Sequence, residues 1–581
     1  MRTHVRSTGA LAAVLALAAA VPALAQAPQQ PLKHTPQPTT PAITAADAMT
    51  RLYVLADDSM MGREAGTAGN VKGTDYIARE ARRIGLEPAG ENGTFFQTIP
   101  LRRKGMDPAS SLTVGGATMK PGTDFVLLPS IEGAFSFRDT LLASNVPVVY
   151  GGRLGTMNLI DPAQAAGKLV VFDGAMVNGT RSWRFWTGGS FDRYAAAAGV
   201  AFAVLDYVPE GLRGYLAEPQ EALVDPSEPH ARVASPAGLL VSVAAAERLF
   251  GRPLDGLQTG AAGQTVNGRV AFYDQPSAFP ARNVVGILRG TDPALRGQFV
   301  AIGAHNDHVG TTHEAVDHDS LRAFNLVLRR GGLEGEAETP TPAQSARIRA
   351  LTDSLHRAHP ARRDSVFNGA DDDGSGTTGV LEIAEYMAAH RPKRSVLFVW
   401  HTGEEKGLLG SSWFTEHPTT AVSRDSIVAQ LNMDMIGRGA ASDETGMTKD
   451  SVVLHGGPNY LQLVGSRRLS TQLGDLIEEV NRTGNHGLAF DYSIDANNHP
   501  ANIYCRSDHY SYARWGIPIT FFTTGGHADY HMLTDEPEYI DYTKLARVAS
   551  LVADVAEHVA NRPDRLVVDK PKPDPHGECK Q

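Results

Sequence analysis

Cysteine is nearly absent: the 581 residues contain only Cys505 and Cys579. Two cysteines cannot build a disulfide-dependent scaffold, and the sequence leaves open whether they pair. Long apolar runs are missing too. The clearest, Ala10 to Val21, is shorter than the roughly 20 residues that cross a bilayer. Charge of one sign is not concentrated anywhere: 54 Lys and Arg face 64 Asp and Glu, a formal net charge of -10 with no long single-sign block. That excludes the electrostatic footprint of a nucleic-acid binder. A hydrophobic fraction of 42% with 20% charged residues excludes a fibrous or wholly disordered chain. The length exceeds what one ordinary hydrophobic core supports, so at least two folded units are expected.

Arg2 and Arg6, the apolar stretch and Ala23-Leu24-Ala25 form the pattern of a secretory signal peptide, residues 1–25. A secreted or periplasmic protein, soluble after cleavage, is expected. Residues 26–44, rich in Pro, Gln and Thr, read as a disordered linker, and 563–581 as a C-terminal tail. From Ala45, Met49, Leu52 and Leu55 recur at helical spacing, and Tyr76 to Ile84 repeats it after the Gly-rich 66–73, so two helices open the main body.

Over 131–275 the texture changes to short apolar runs such as Lys168-Leu-Val-Val-Phe172 and Val200-Ala-Phe-Ala-Val204 divided by Gly, Pro and Asp. These predict a separate β-rich domain. From Asn283 strand, loop and helix alternate to about residue 560, which predicts an α/β fold with a mainly parallel central sheet and helices on both faces. One body is thus expected over 45–130 and 276–562. The charged stretch 311–367 reads as a surface insertion with helical pieces at Ser320 to Arg329 and Ala343 to Ala358.

Acidic and His clusters fall just past predicted strands: His305-Asn-Asp307 after QFVAIG, Glu404-Glu405 after SVLFVW, Asp434 after Ile427 to Leu431, and His531 beyond IPITFF. In open α/β sheets that edge binds ligands. Asp372 belongs to Asp371-Asp372-Asp373-Gly374. Two imidazoles, His305 and His531, with three carboxylates, Asp372, Glu405 and Asp434, suit two divalent transition metals sharing a bridging carboxylate. Each piece has a plainer explanation: the three aspartates could cap a helix, and Glu404-Glu405 could open one. Asp434 interrupts Leu, Met and Ile, where an unpaired carboxylate would be costly.

The ordered set resembles the co-catalytic di-zinc aminopeptidases, a family that includes bacterial leucyl-type aminopeptidases and glutamate carboxypeptidases. The resemblance runs from Ala45 to about Arg562 through Met61-Gly62-Arg63, Gly66-Thr-Ala-Gly69, Gly303-Ala-His305-Asn-Asp307, Gly369 to Gly376, Glu404 to Ser411, Asn432-Met-Asp434, Ser507-Asp-His509 and Asp529-Tyr-His531. It implies a zinc exopeptidase-like fold, with 131–275 as the protease-associated domain that many members carry. It implies two Zn2+ ions, with Mn2+ or Co2+ as possible substitutes: Asp372 bridges, His305 and Asp434 complete one site, and Glu405 and His531 the other. Glu404 would be the general base for a metal-bridging water. Asp307 would orient the His305 imidazole, Tyr504 would stand near the developing oxyanion, and the Asp372-Asp373 peptide would be cis. His531 to Asp535 resembles the family's closing motif. The long insertion departs from the simplest members and is expected to wall the cleft and restrict substrate length.

The function implied is hydrolysis of the N-terminal residue of peptide substrates. A carboxypeptidase or dipeptidase shares the metal site, glutaminyl cyclase shares the fold, and a binding protein with this fold would have lost ligands that are all present here. Oligomeric state and first-residue preference are not legible.

Overall fold

The computed structural model describes residues 30–129, 137–184, 191–209, 235–332, 339–358 and 360–581, with short pieces at 212–213, 216 and 220–223. The expected signal peptide lies outside the described residues. Residues 30–44 carry no helix or strand but do not hang free. The Tyr53 hydroxyl donates to the Pro31 carbonyl, and Thr39 donates to Glu385.

Helix α1, Ala45–Leu55, starts where Thr44 accepts the Asp47 N–H, and buries Ala48, Leu52 and Leu55 on one face. Helix α2, Ala68–Ile84, ends at left-handed Gly85, whose N–H reaches the carbonyls of Ala81 and Arg82. It begins inside the Gly-rich stretch rather than after it: Gly69 and Gly73 are buried, and their lack of a side chain admits the close neighbours Met60 and Arg63.

A ten-stranded β-rich sheet follows, running from Leu101–Met106 to Ala262–Pro276. It has its own hydrophobic layers, one around Leu169, Leu239 and Val266 and the other around Phe172, Phe202 and Tyr194. The sheet takes in Leu101–Met106, Ser111–Val114, Ala117–Met119 and Phe125–Leu127, so it starts ahead of the boundary expected at residue 131. Those strands are short, and the first carries Arg102, Arg103 and Lys104, which hides the strand pattern in the sequence.

The second, nine-stranded sheet contains β1 (Ala281–Leu288), β2 (Phe299–His305), β3 (Ser395–His401), β4 (Ile427–Met433), β5 (Tyr460–Val464) and β6 (Ile519–Thr523). The spatial order is β1-β3-β2-β4-β6-β5. The four inner strands are parallel, and β1 and β5 close them on either side as antiparallel neighbours. Every residue of β2, β3 and β4 is buried, as a parallel sheet covered on both faces requires.

Between β2 and the aspartate loop the insertion forms an antiparallel pair, Thr311–Asp317 with Arg363–Val366, enclosing α3 (His318–Leu328) and α4 (Pro342–Ala358). Helices α5 (Gly376–Ala389) and α6 (Tyr542–Asn561) cover one sheet face and pack with α1. Buried Arg51 of α1 pairs with Glu382 and Glu385 of α5. No helix among the described residues is long and apolar enough to cross a membrane.

Candidate metal centre

The four parallel strands point their C-terminal ends at one cleft, and the loops leaving them carry the charged side chains. His305 is the last residue of β2. Its Nδ1 lies 3.1 Å from the Asp307 carbonyl and 3.7 Å from the Asp307 carboxylate. The carbonyl can only accept, so Nδ1 carries a proton and Nε2 turns to Asp372 Oδ1 at 3.1 Å and Asp434 Oδ1 at 3.7 Å. The other Asp372 oxygen stands 2.9 Å from His531 Nε2, which is also 3.0 Å from Glu405 Oε2. Asp372 therefore sits between two imidazoles, each with a further carboxylate beside it. The Asp372-Asp373 peptide is cis.

The aspartates flanking Asp372 do different work. Asp373 accepts the His305 N–H through one oxygen and the N–H groups of Gly376 and Met435 through the other. Asp371 accepts the Gly437 N–H at 2.7 Å, and its other oxygen is 3.2 Å from His527 Nε2. Both brace the loop, although Asp373 is close enough to His305 and Asp434 to be counted in a metal-sized group. Its oxygens are already committed to backbone donors. Asp535 accepts the N–H groups of Asp371 and Asp372, and burial raises its pKa to about 6.

Arg63, from Met61-Gly62-Arg63, is buried and donates to the carbonyls of Leu55, Asn306, Asn368 and Gly369. It ties the loop after His305 to the loop before Asp372. Asp307, besides lying near His305, accepts the Glu404 N–H at 3.2 Å, and so places the next strand's loop. Ser507 donates to Asp434 Oδ2 at 2.7 Å.

Burial opposes charge on His305 and His531, yet the carboxylates around them prevail and raise both, His531 to about 11. Burial pushes Glu404 well above the usual carboxylate range, with Asp434 and Glu405 adding to it against the pull of His305. Asp434 is raised by burial despite His305. So many buried carboxylates around two imidazoles need further positive charge. The atoms also show where it belongs. His531 Nε2 and Asp372 Oδ2 are buried and close, yet neither makes a hydrogen bond of acceptable geometry. Buried polar atoms that converge without hydrogen-bonding one another fit a cation between them, and this imidazole and carboxylate set suits divalent transition metals.

The cleft encloses about 840 Å³. Asp372, Glu404, Glu405, Asp434 and His531 line one side, Ile494, Ile503 and Phe521 give it an apolar part, and Leu328 to Gly332 of the insertion form another wall. Arg322 of α3 pairs with buried Asp529, close to His531, and Arg330 lies 3.3 Å from Glu444 across the cleft.

One residue departs from the sequence expectation, and two that the sequence did not single out stand at the site. Tyr504 does not line the cleft; its ring packs against His509 and Tyr510 with Arg468 over it, within an apolar cluster. The turn Ile503–Cys505 faces Ile503 and Cys505 to the cleft and Tyr504 away. Tyr530 lines the cleft instead, stacked on His531 with ring centroids 4.1 Å apart. Its place next to His531 in the sequence was the available signal. His308, also unassigned from sequence, is buried with Nδ1 2.6 Å from Glu405 Oε1.

Residues 283–556 match Peptidase family M28. A "Probable zinc metalloprotease" of Pyrenophora tritici-repentis is 38% identical over 77 residues, 13% of this chain and 17% of that protein. An "Aminopeptidase" of Pseudomonas aeruginosa is 40% identical over 79 residues, 13% of this chain and 15% of that protein. The chain thus aligns with less than a fifth of the length of these curated relatives. Among solved structures, the aminopeptidase from Aneurinibacillus sp. strain AM-1 aligns over 91% of this chain and 97% of its own, at 17% identity and a TM-score of 0.45.

Proposed function

We propose that this chain is a metal-dependent exopeptidase that removes the N-terminal residue of peptides, a reading supported by the match of residues 283–556 to Peptidase family M28. The observation that carries the reading is Asp372, with one oxygen toward His305 and the other toward His531. His305, Asp372 and Asp434 would hold one cation, and Asp372, Glu405 and His531 a second, with zinc the family's metal. When bound, the two cations would polarise the scissile carbonyl and make a water acidic enough to attack at neutral pH.

The chain's own residues supply the rest. Glu404 lines the cleft beside both groups, and burial, with Asp434 and Glu405 nearby, raises its affinity for a proton. It is suited to take a proton from the attacking water and deliver it to the leaving amine. The Tyr530 hydroxyl is suited to donate to the oxygen on which charge develops. The apolar part of the cleft, with Ile494, Ile503 and Phe521, would receive the first side chain, and the insertion wall would limit what extends beyond it. Secretion or a periplasmic location is supported by the Cys505–Cys579 disulfide, since such bonds persist in oxidising compartments.

The test is a panel of free, N-acetylated and C-amidated short peptides. Cleavage abolished by acetylation and indifferent to amidation is expected. Loss on amidation would make the enzyme a carboxypeptidase, and ammonia release from an N-terminal Gln peptide without cleavage would make it a cyclase. Deleting 318–358 should broaden the accepted peptide length; an unchanged length preference would remove the wall function.

A further inference from the structure

We infer that His308 is a positioning residue: it donates its Nδ1 proton to Glu405 Oε1 and so leaves Glu405 Oε2 to face His531 and the second cation. This rests on the two-cation reading above.

His308 is fully buried, and its Nδ1 is 2.6 Å from Glu405 Oε1, while Asp372 Oδ2 is 3.7 Å away. The 2.6 Å contact has hydrogen-bond geometry, whereas His531 Nε2, 2.9 Å from Asp372 Oδ2 and 3.0 Å from Glu405 Oε2, makes no hydrogen bond. A carboxylate only accepts, so Nδ1 carries the proton. Glu405 is then divided between two imidazoles, Oε1 to His308 and Oε2 to His531 at 3.0 Å.

The fold makes a slot for this ring. Gly369 has φ +51°, and a Cβ there would sit 2.5 Å from His308 Cγ and Cδ2. Just past the ring the Gly310 N–H donates to the Gly62 carbonyl at 3.0 Å, which pins the loop. A glutamate with two free oxygens can swing between one-oxygen and two-oxygen ligation. Holding one oxygen fixes which atom faces the metal, a constraint that metal-ligating carboxylates commonly receive from a hydrogen-bonding neighbour.

The experiment compares the full chain with His308→Phe, which fills the slot without a donor, and His308→Gln, which restores an N–H. Metal-free proteins are titrated with Zn2+ against a chelator, and Co2+ spectra and kinetics are recorded on the loaded forms. Wild type should take up two ions. His308→Phe should also take up two, the weaker bound about 10–100-fold less tightly, with an altered Co2+ spectrum and a kcat loss larger than any change in KM. His308→Gln should recover part of both losses. If His308→Phe reaches only one ion at any concentration, His308 is a direct ligand and the positioning role is overturned. Unchanged affinity and spectrum in both variants would also overturn it. Wild type binding fewer than two ions would overturn the two-cation reading itself, and this inference with it.

Discussion

At the residue scale, a side chain's neighbours decide its role more than its identity does. Tyr530 and Tyr504 make the point, because one lines the cleft against His531 and the other lies in an apolar cluster. Tyr530→Phe is expected to lower kcat on the order of 100-fold, the scale of losing one oxyanion donor, with KM changed little. Tyr504→Phe should leave kcat within about twofold, because the ring's packing is kept. Steady-state kinetics on both variants separates them. His509 gives a pH prediction. Burial lowers its pKa from 6.5 to about 3, so between those values the unfolded chain binds a proton that the folded chain does not. Stability should therefore fall as pH drops from about 6.5 toward 3, and His509→Phe should lose less over that range. Denaturant melts at pH 7 and pH 4.5 measure it, and an equal loss in both proteins would contradict it.

Of the proposed ligands, His305, Glu405 and Asp434 stand out in the sequence because each lies at or just past the end of a buried apolar strand, whereas Asp372 stands out only by its run of aspartates. The structure brings them together with His531 at the cleft. His308 was not legible. A histidine one residue after Asp307 looks like a surface loop residue until the fold brings Glu405 against it. Tyr504 was placed by its neighbourhood to Ser507-Asp508-His509, and a single turn reversed its direction.

At the element scale, the inner strands β2, β3, β4 and β6 could be read from the sequence because full burial on both faces gives unbroken apolar runs. The early strands of the β-rich sheet could not, because Leu101–Met106 presents three basic residues. What aligns the loops beyond those strands is less visible still. Arg63 is far in sequence from the ligands, yet its guanidinium spans the carbonyls of Asn306, Asn368 and Gly369. Arg63→Met would leave buried carbonyls without donors, and at about 1–3 kcal/mol each the loss of stability should exceed about 3 kcal/mol. Denaturant melts would show it, and a cost within about 0.5 kcal/mol would show that the loops hold their places without Arg63. The insertion is docked as well as inserted. Arg322 and Arg438 both reach Asp529, so α3 is tied to the loop that carries His531.

At the scale of the whole molecule, two sheets divide the work: the nine-stranded sheet carries the site, and the ten-stranded sheet has its own core. The C-terminal segment packs on the core of the nine-stranded sheet through Leu566 and Cys579. Cys579 is bonded to Cys505 on the cleft wall, and the Gln581 side chain donates to the carbonyls of Ile494 and Ala496. Cys505→Ser with Cys579→Ser should cost about 2–4 kcal/mol of stability and raise KM more than it lowers kcat, because Ile494, Ile503 and Cys505 line the cleft. A KM equal to wild type would show that the wall stands without the strap.

The central claim, that five ligands and one base form a hydrolytic site, is tested most directly by Glu404→Gln. The amide keeps the shape of the carboxyl but cannot accept and return a proton. Metal analysis and peptide hydrolysis on the same preparation should show two metal ions per chain, as in wild type, and a kcat lower by about 100-fold or more. Undiminished hydrolysis with the metal retained would contradict the account.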